Sequence, residues 1–161
     1  MKFGKKLKEK LKGFIEFRNV TFSYPSRPDY KVLNNISFKI VTGQTTAIVG
    51  ESGSGKSIIF ELLESFYDSY IGNIFIDDIN INDCNIPWLP SQLSVVNQTP
   101  VLFEGTIGEN IKIGNTMKNK VDVENTAKLA GVDDYDTNIN SQGINLSGGQ
   151  KQKICIARAF F

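Results

Sequence analysis

A mixed α/β fold, with a parallel-sheet core and a separate antiparallel β layer, is predicted by three observations. Apolar residues at period two open the chain as strands with no helix between them. A short apolar stretch at 45–49 runs straight into a glycine-rich loop, and strands then alternate with helices to the end of the sequence. The composition agrees: 161 residues, 40% hydrophobic and 22% charged, suit one globular domain with a sizeable core.

Each element has its own signal. Ile15 and Phe17 alternate with Glu16 and Arg18, and Phe22 and Tyr24 continue the pattern to a turn at Pro25 and Pro28. A second strand is expected at 36–41, with Gly43 as the turn before the strand at 45–49. Ile58, Ile59, Leu62, Leu63 and Phe66 form a helical stripe over 56–66. Further strands are expected at 74–76 and 93–96, and helices at 121–130 and 147–161. No internal repeat or low-complexity tract interrupts them.

Charge divides the chain at its start. Lys2, Lys5, Lys6, Lys8, Lys10 and Lys12 against Glu9 make residues 1–13 a basic lead, and the domain is expected to begin at residue 14 and run to 161. Phe3, Leu7, Leu11 and Phe14 recur there at helical spacing, so an amphipathic helix on an anionic membrane surface competes with a solvated linker, the expected reading. No apolar h-region follows the lysines, and no apolar run approaches the roughly 20 residues that cross a bilayer. Cys84 and Cys155 lack zinc or Cys-x-x-Cys spacing and read as buried thiols of a reducing compartment.

Gly50-Glu51-Ser52-Gly53-Ser54-Gly55-Lys56-Ser57 is a full G-x-x-x-x-G-K-S string between an expected strand and an expected helix, the context a P-loop needs. Its glycines let successive backbone N–H groups turn inward around the β- and γ-phosphates of a nucleotide, with the helix N-terminus behind them. Lys56 supplies a point charge for the terminal phosphates, and the Ser57 hydroxyl is placed for Mg²⁺ bridging the β- and γ-oxygens.

Two strings test which P-loop family this is. Asn119-Lys120-Val121-Asp122 imitates the guanine-reading N-K-x-D, but it follows a polar stretch where a buried strand is required, and no glycine has an aspartate three residues before it. A GTPase is therefore not expected. Ile74-Phe75-Ile76-Asp77-Asp78 imitates a strand ending in Mg²⁺-binding carboxylates, yet it precedes residues 94–103, which look like the Q-loop of ABC transporters, and that resemblance implies that the strand ending at Asp77 is ordinary sheet.

Leu146-Ser147-Gly148-Gly149-Gln150, followed by the helix bearing Ala157-Arg158-Ala159, resembles the signature of ABC transporter ATP-binding domains. A serine hydroxyl and glycine N–H groups at a helix start make a second anion site. The resemblance implies that Ser147, Gly148, Gly149 and Gln150 meet ATP held on an opposite ABC domain, identical or not, the two closing face to face. Residues 94–103 look like the Q-loop, which implies that Gln98 ligates Mg²⁺ and senses the γ-phosphate. Tyr24-Pro25-Ser26-Arg27-Pro28-Asp29 resembles the A-loop of the multidrug exporter, P-glycoprotein-like B subfamily, which implies that Tyr24 stacks on adenine with Val32 beside it. The implied ATP site is Tyr24, Val32, Gly50, Ser52, Gly53, Ser54, Gly55, Lys56, Ser57, Ile58 and Gln98, with Ser57 and Gln98 on the metal. The implied setting is the cytoplasmic side of a membrane, joined to an exporter's transmembrane domain.

The sequence departs from that family in four places. The family continues into a strand ending Asp-Glu and a switch histidine, which these 161 residues lack, so hydrolysis by them alone is not expected. A missing central strand would also leave apolar surface and backbone groups exposed. Ile58 stands where a threonine is usual, residues 127–137 are shorter than the exporter pattern and trim the helical subdomain, and Asn140-Ser141-Gln142-Gly143 replaces an acidic coupling segment. The competing readings are a non-hydrolysing ATP-binding and dimerising module, or a decayed gene fragment. A DNA-repair type of ABC ATPase would need a coiled coil where only 88 residues separate Ser57 from Leu146, and a net acidic core does not fit nucleic acid.

Overall fold

The computed structural model describes residues 11–84, 88–113, 119–140 and 143–161; most of the basic lead, with Ser141 and Gln142, lies outside the described residues. The chain divides into two compact units, Met1–Leu93 and Ser94–Phe161.

In the first unit, β1 (Ile15–Ser23), β2 (Lys31–Ile40), β3 (Ile71–Ile76) and β4 (Ile79–Asn80) form an antiparallel sheet of order β2-β1-β3-β4. Phe17 faces Phe38 on one side and Ile74 on the other, with the Phe17 and Phe38 rings stacked 4.5 Å apart. Strict alternation would turn Val20 away from the core, since it lies three residues after Phe17. A bulge corrects this: Asn19 takes φ +52 and the register shifts, so Phe17, Val20 and Phe22 are all buried. Gly72 (φ +94) lies against that bulge, where a Cβ would come within 2.4 Å of the Asn19 carbonyl oxygen. Glu16 is buried on the sheet, paired to Arg18 (2.6 Å) and Lys39 (3.2 Å).

Helix α1 (Lys56–Leu63) packs Ile58, Ile59, Leu62 and Leu63 into the same core as β1 and β3. It ends three residues earlier than the stripe suggests. Ser65 adopts φ +60, its N–H donates to Leu62 O and that of Phe66 to Glu61 O, a Schellman closure that leaves Phe66 exposed.

Asp77 and Asp78, both at positive φ, make the two-residue turn from β3 to β4. The Asp77 carboxylate also accepts the N–H groups of Lys12 (2.5 Å), Gly13 (3.1 Å) and Phe14 (2.9 Å). It is spent on structure.

The second unit packs α2 (Ile107–Lys112), α3 (Lys120–Leu129) and α4 (Gly148–Phe160) around Ile111, Ala127, Ile154 and Ala157, beside a small antiparallel pair, β5 (Gly105–Thr106) and β6 (Asn138–Ile139). Each helix begins with a reciprocal capping box: Thr106 with Glu109, Asn119 with Asp122, Ser147 with Gln150. The N-K-x-D string is thereby explained, because its asparagine and aspartate are the cap and third residue of α3.

One expectation is corrected. Every ladder among the described residues is antiparallel, and residues 45–49 and 93–96 belong to none. Both stretches are largely exposed, with Val49 at 86%. An apolar β-prone sequence becomes a strand only where a neighbouring strand pairs with it, and among the described residues neither stretch has a ladder partner, Leu93 N–H closing a turn on Pro90 O (3.2 Å) instead.

Candidate functional site

The loop at 50–57 is shaped by its glycines. Gly53 (φ +82) and Gly55 (φ +85) lie in the left-handed region, and Gly55 serves as N-cap of α1. A Cβ on Gly55 would stand 2.9 Å from Val32 Cγ1, so the loop rests directly on β2. Lys56 Nζ donates to Gly50 O (2.9 Å) and Glu51 O (2.6 Å) and reaches Ser54 Oγ at 3.5 Å. The ammonium thus sits inside the curve of its own loop, where an incoming phosphate would compete with two carbonyl oxygens for it.

Above the loop lies a cavity of about 310 Å³. Gly53, Gly55, Lys56, Ser57 and Ile58 line it from the loop and α1, Tyr24, Arg27 and Tyr30 from the β1–β2 connection, and Val32 from β2. Seven residues singled out in the sequence therefore meet in one place, while Gly50 and Ser54 join through Lys56; Ser52 is in the exposed part of the loop and does not line the cavity. Ile58 has a second role there, being only 2% exposed and part of the core. The Tyr24 ring is fixed by edge contacts with Phe22 (5.3 Å) and Tyr67 (5.7 Å). Burial, with the nearby Glu61 charge next, pushes its phenol pKa above the usual 10, so it is a neutral ring.

In the second unit Gln98 is exposed, outside any strand. Ser147 and Gln150 are exposed too, and a Cβ on Gly148 or Gly149 would meet nothing within 4 Å. Ser147 Oγ accepts the Gln150 N–H (3.3 Å), and Gln150 Oε1 accepts the Ser147 N–H (2.8 Å). The hydroxyl still has its proton to donate.

Asn110 and Arg158 were not singled out from sequence. Asn110, 1% exposed, exchanges hydrogen bonds with both backbone groups of Phe103 (2.9 Å each) and donates to Thr106 O (3.0 Å). Arg158 donates to Asn110 O (3.0 Å) and Val101 O (3.1 Å), tying α4 to the stretch that follows Gln98. The available signal was a polar residue on an apolar stripe, Asn110 between Ile107 and Ile111.

A family model described as ABC transporter matches residues 33–161. The chain belongs to the ABC transporter family. It is 44% identical over 97% of its length to "ABC transporter B family member 2" of Dictyostelium discoideum, and 45% identical over 97% to "Multidrug resistance protein homolog 65" of Drosophila melanogaster. It spans 12% and 13% of those proteins, about an eighth of the length of the curated relatives it matches. Among solved structures, "Structure of a bacterial Atm1-family ABC exporter with ATP bound" superposes with a TM-score of 0.91 at 37% identity, covering 99% of this chain and 29% of that one. The fold is that of an ABC nucleotide-binding domain, and as an ABC domain it is ATP-binding. Among the described residues no helix is long and apolar enough to cross a membrane.

Proposed function

We propose that this ABC domain holds MgATP in the cavity above the P-loop and offers residues 147–150 to the nucleotide of a second ABC domain, as the ATP-binding part of an exporter. The carrying observation is the meeting of Tyr24, Val32, Lys56 and Ser57 around one cavity over a glycine loop. The base lies against Tyr24, whose ring is already immobilised, so little side-chain freedom is lost on binding. Lys56 exchanges the Gly50 and Glu51 carbonyls for phosphate oxygens, and the loop N–H groups complete the cradle.

Among the described residues no three His, Cys, Asp or Glu side chains cluster as a metal site. Mg²⁺ would be held by the Ser57 hydroxyl and the nucleotide's own phosphates, as expected of a hard cation that keeps few protein ligands. When bound, it would neutralise negative charge on the nucleotide's phosphates. The exposed serine and glycines at the start of α4 suit a phosphate arriving from outside the chain. Attachment to a transmembrane domain and a place on the cytoplasmic side follow from this reading.

A second reading, binding ATP and pairing with another ABC domain without turnover, uses the same cavity and the same exposed start of α4. Labelled-ATP titration of the 161-residue chain with Mg²⁺, against Lys56→Ala, tests binding; phosphate release above background would remove the second reading. Equal affinity of wild type and Lys56→Ala would remove the P-loop assignment itself.

A further inference from the structure

Resting on that reading, we propose that Tyr30 is the outer wall of the nucleotide site, a second aromatic face that covers the base from the side opposite Tyr24. Two consecutive turns build this wall: Arg27 N–H donates to Tyr24 O (2.9 Å), and Tyr30 N–H donates to Arg27 O (3.2 Å). The chain at residues 24, 27 and 30 thereby curves round a single cavity, which all three line together with Lys56 and Ser57.

The two tyrosines differ in how they are held. Tyr24 is half-buried and braced by Phe22 and Tyr67. Tyr30 is 63% exposed, and among the described residues its ring makes no aromatic contact and its hydroxyl no hydrogen bond. A braced inner ring and a free outer ring lining one cavity can act as a clamp whose outer side closes when a flat π-system enters. The occupant is the nucleobase of the same nucleotide whose phosphates take Lys56. Because every base presents a π-face, Tyr30 adds affinity for purine nucleotides generally, with little choice between them.

The test titrates the 161-residue chain with MgATP, MgGTP and inorganic tripolyphosphate, for wild type, Tyr30→Ala and Tyr30→Phe. Tyr30→Ala is expected to weaken both nucleotides by about ten-fold, to leave tripolyphosphate unchanged, and to be rescued by Tyr30→Phe. Nitration of Tyr30 by tetranitromethane is expected to slow with ATP and not with tripolyphosphate. Wild-type ATP affinity in Tyr30→Ala, or an equal loss of tripolyphosphate, overturns the proposal while the P-loop reading stands. A wild-type chain that binds neither ATP nor tripolyphosphate overturns both.

Discussion

The Arg158 guanidinium grips Asn110 at two points, its Nε on the Asn110 carbonyl (3.0 Å) and its Nη2 on Asn110 Oδ1 (3.3 Å). Through that grip the helix carrying the signature is fastened to the Phe103 backbone, which Asn110 holds from the other side. Asn110→Leu keeps the volume but leaves the Phe103 and Thr106 groups without partners, and is expected to cost about 2–4 kcal/mol in denaturant unfolding. Arg158→Lys, keeping the charge and losing the planar fork, is expected to cost about 1–2 kcal/mol.

Gly55→Ala places a Cβ 2.9 Å from Val32 Cγ1 in a left-handed conformation. The backbone penalty is about 1–2 kcal/mol, and the loop must lift from β2 to relieve the contact. The expected result is a lower melting temperature together with loss of MgATP binding. Calorimetry and titration on one preparation check both.

Lys56→Ala removes the ammonium from the exposed loop, where its bonds to Gly50 and Glu51 add little to stability. ATP affinity is expected to fall at least about ten-fold, near 1.4 kcal/mol, with a nearly unchanged thermal transition. An equal fall in both would instead make Lys56 a structural brace.

Ser147 caps α4, and the proposed function adds a second task that two substitutions separate from the first. Ser147→Ala loses the cap of α4 and is expected to cost about 1 kcal/mol in stability. Ser147→Asp keeps a good cap but puts a carboxylate where a phosphate would arrive. It is expected to hold wild-type stability and lose ATP-dependent association with a second ABC domain, read by analytical ultracentrifugation.

Glu16 supplies the pH dependence. The Arg18 hydrogen bond outweighs burial, with help from Lys39, and holds its carboxyl below the ordinary 4.5. A folded value below the unfolded one means that the stabilisation is complete above 4.5 and is lost as pH falls through the lower, folded value. Melting curves of wild type and Glu16→Gln are expected to run parallel above 4.5 and converge below it.

The parts legible in sequence were those governed by near neighbours. Helices α1, α3 and α4 lie within a few residues of their apolar stripes, and Gly53 and Gly55 take the left-handed backbone of a glycine turn. Residues 45–49 and 93–96 were misjudged because a ladder is a property of two segments, and propensity describes only one. The bulge at Asn19 is called for by the three-residue step from Phe17 to Val20 on its own strand, but the room for it comes from Gly72 on the adjoining one. Asn110 escaped because a single amide carries no periodic signal. The N-K-x-D string shows the reverse case: a motif that looked chemical is a helix start.

The three reciprocal caps have a consequence for how the second unit meets its ligand. Each helix there fixes its first turn by bonds reaching only three residues along the chain, so none depends on a distant contact or a bound anion to decide where it begins. The amino end of α4 is accordingly ready before any nucleotide arrives. On the function proposed above, a phosphate docking on it would order nothing further in the backbone, and the free energy of that encounter would be left for drawing two domains together.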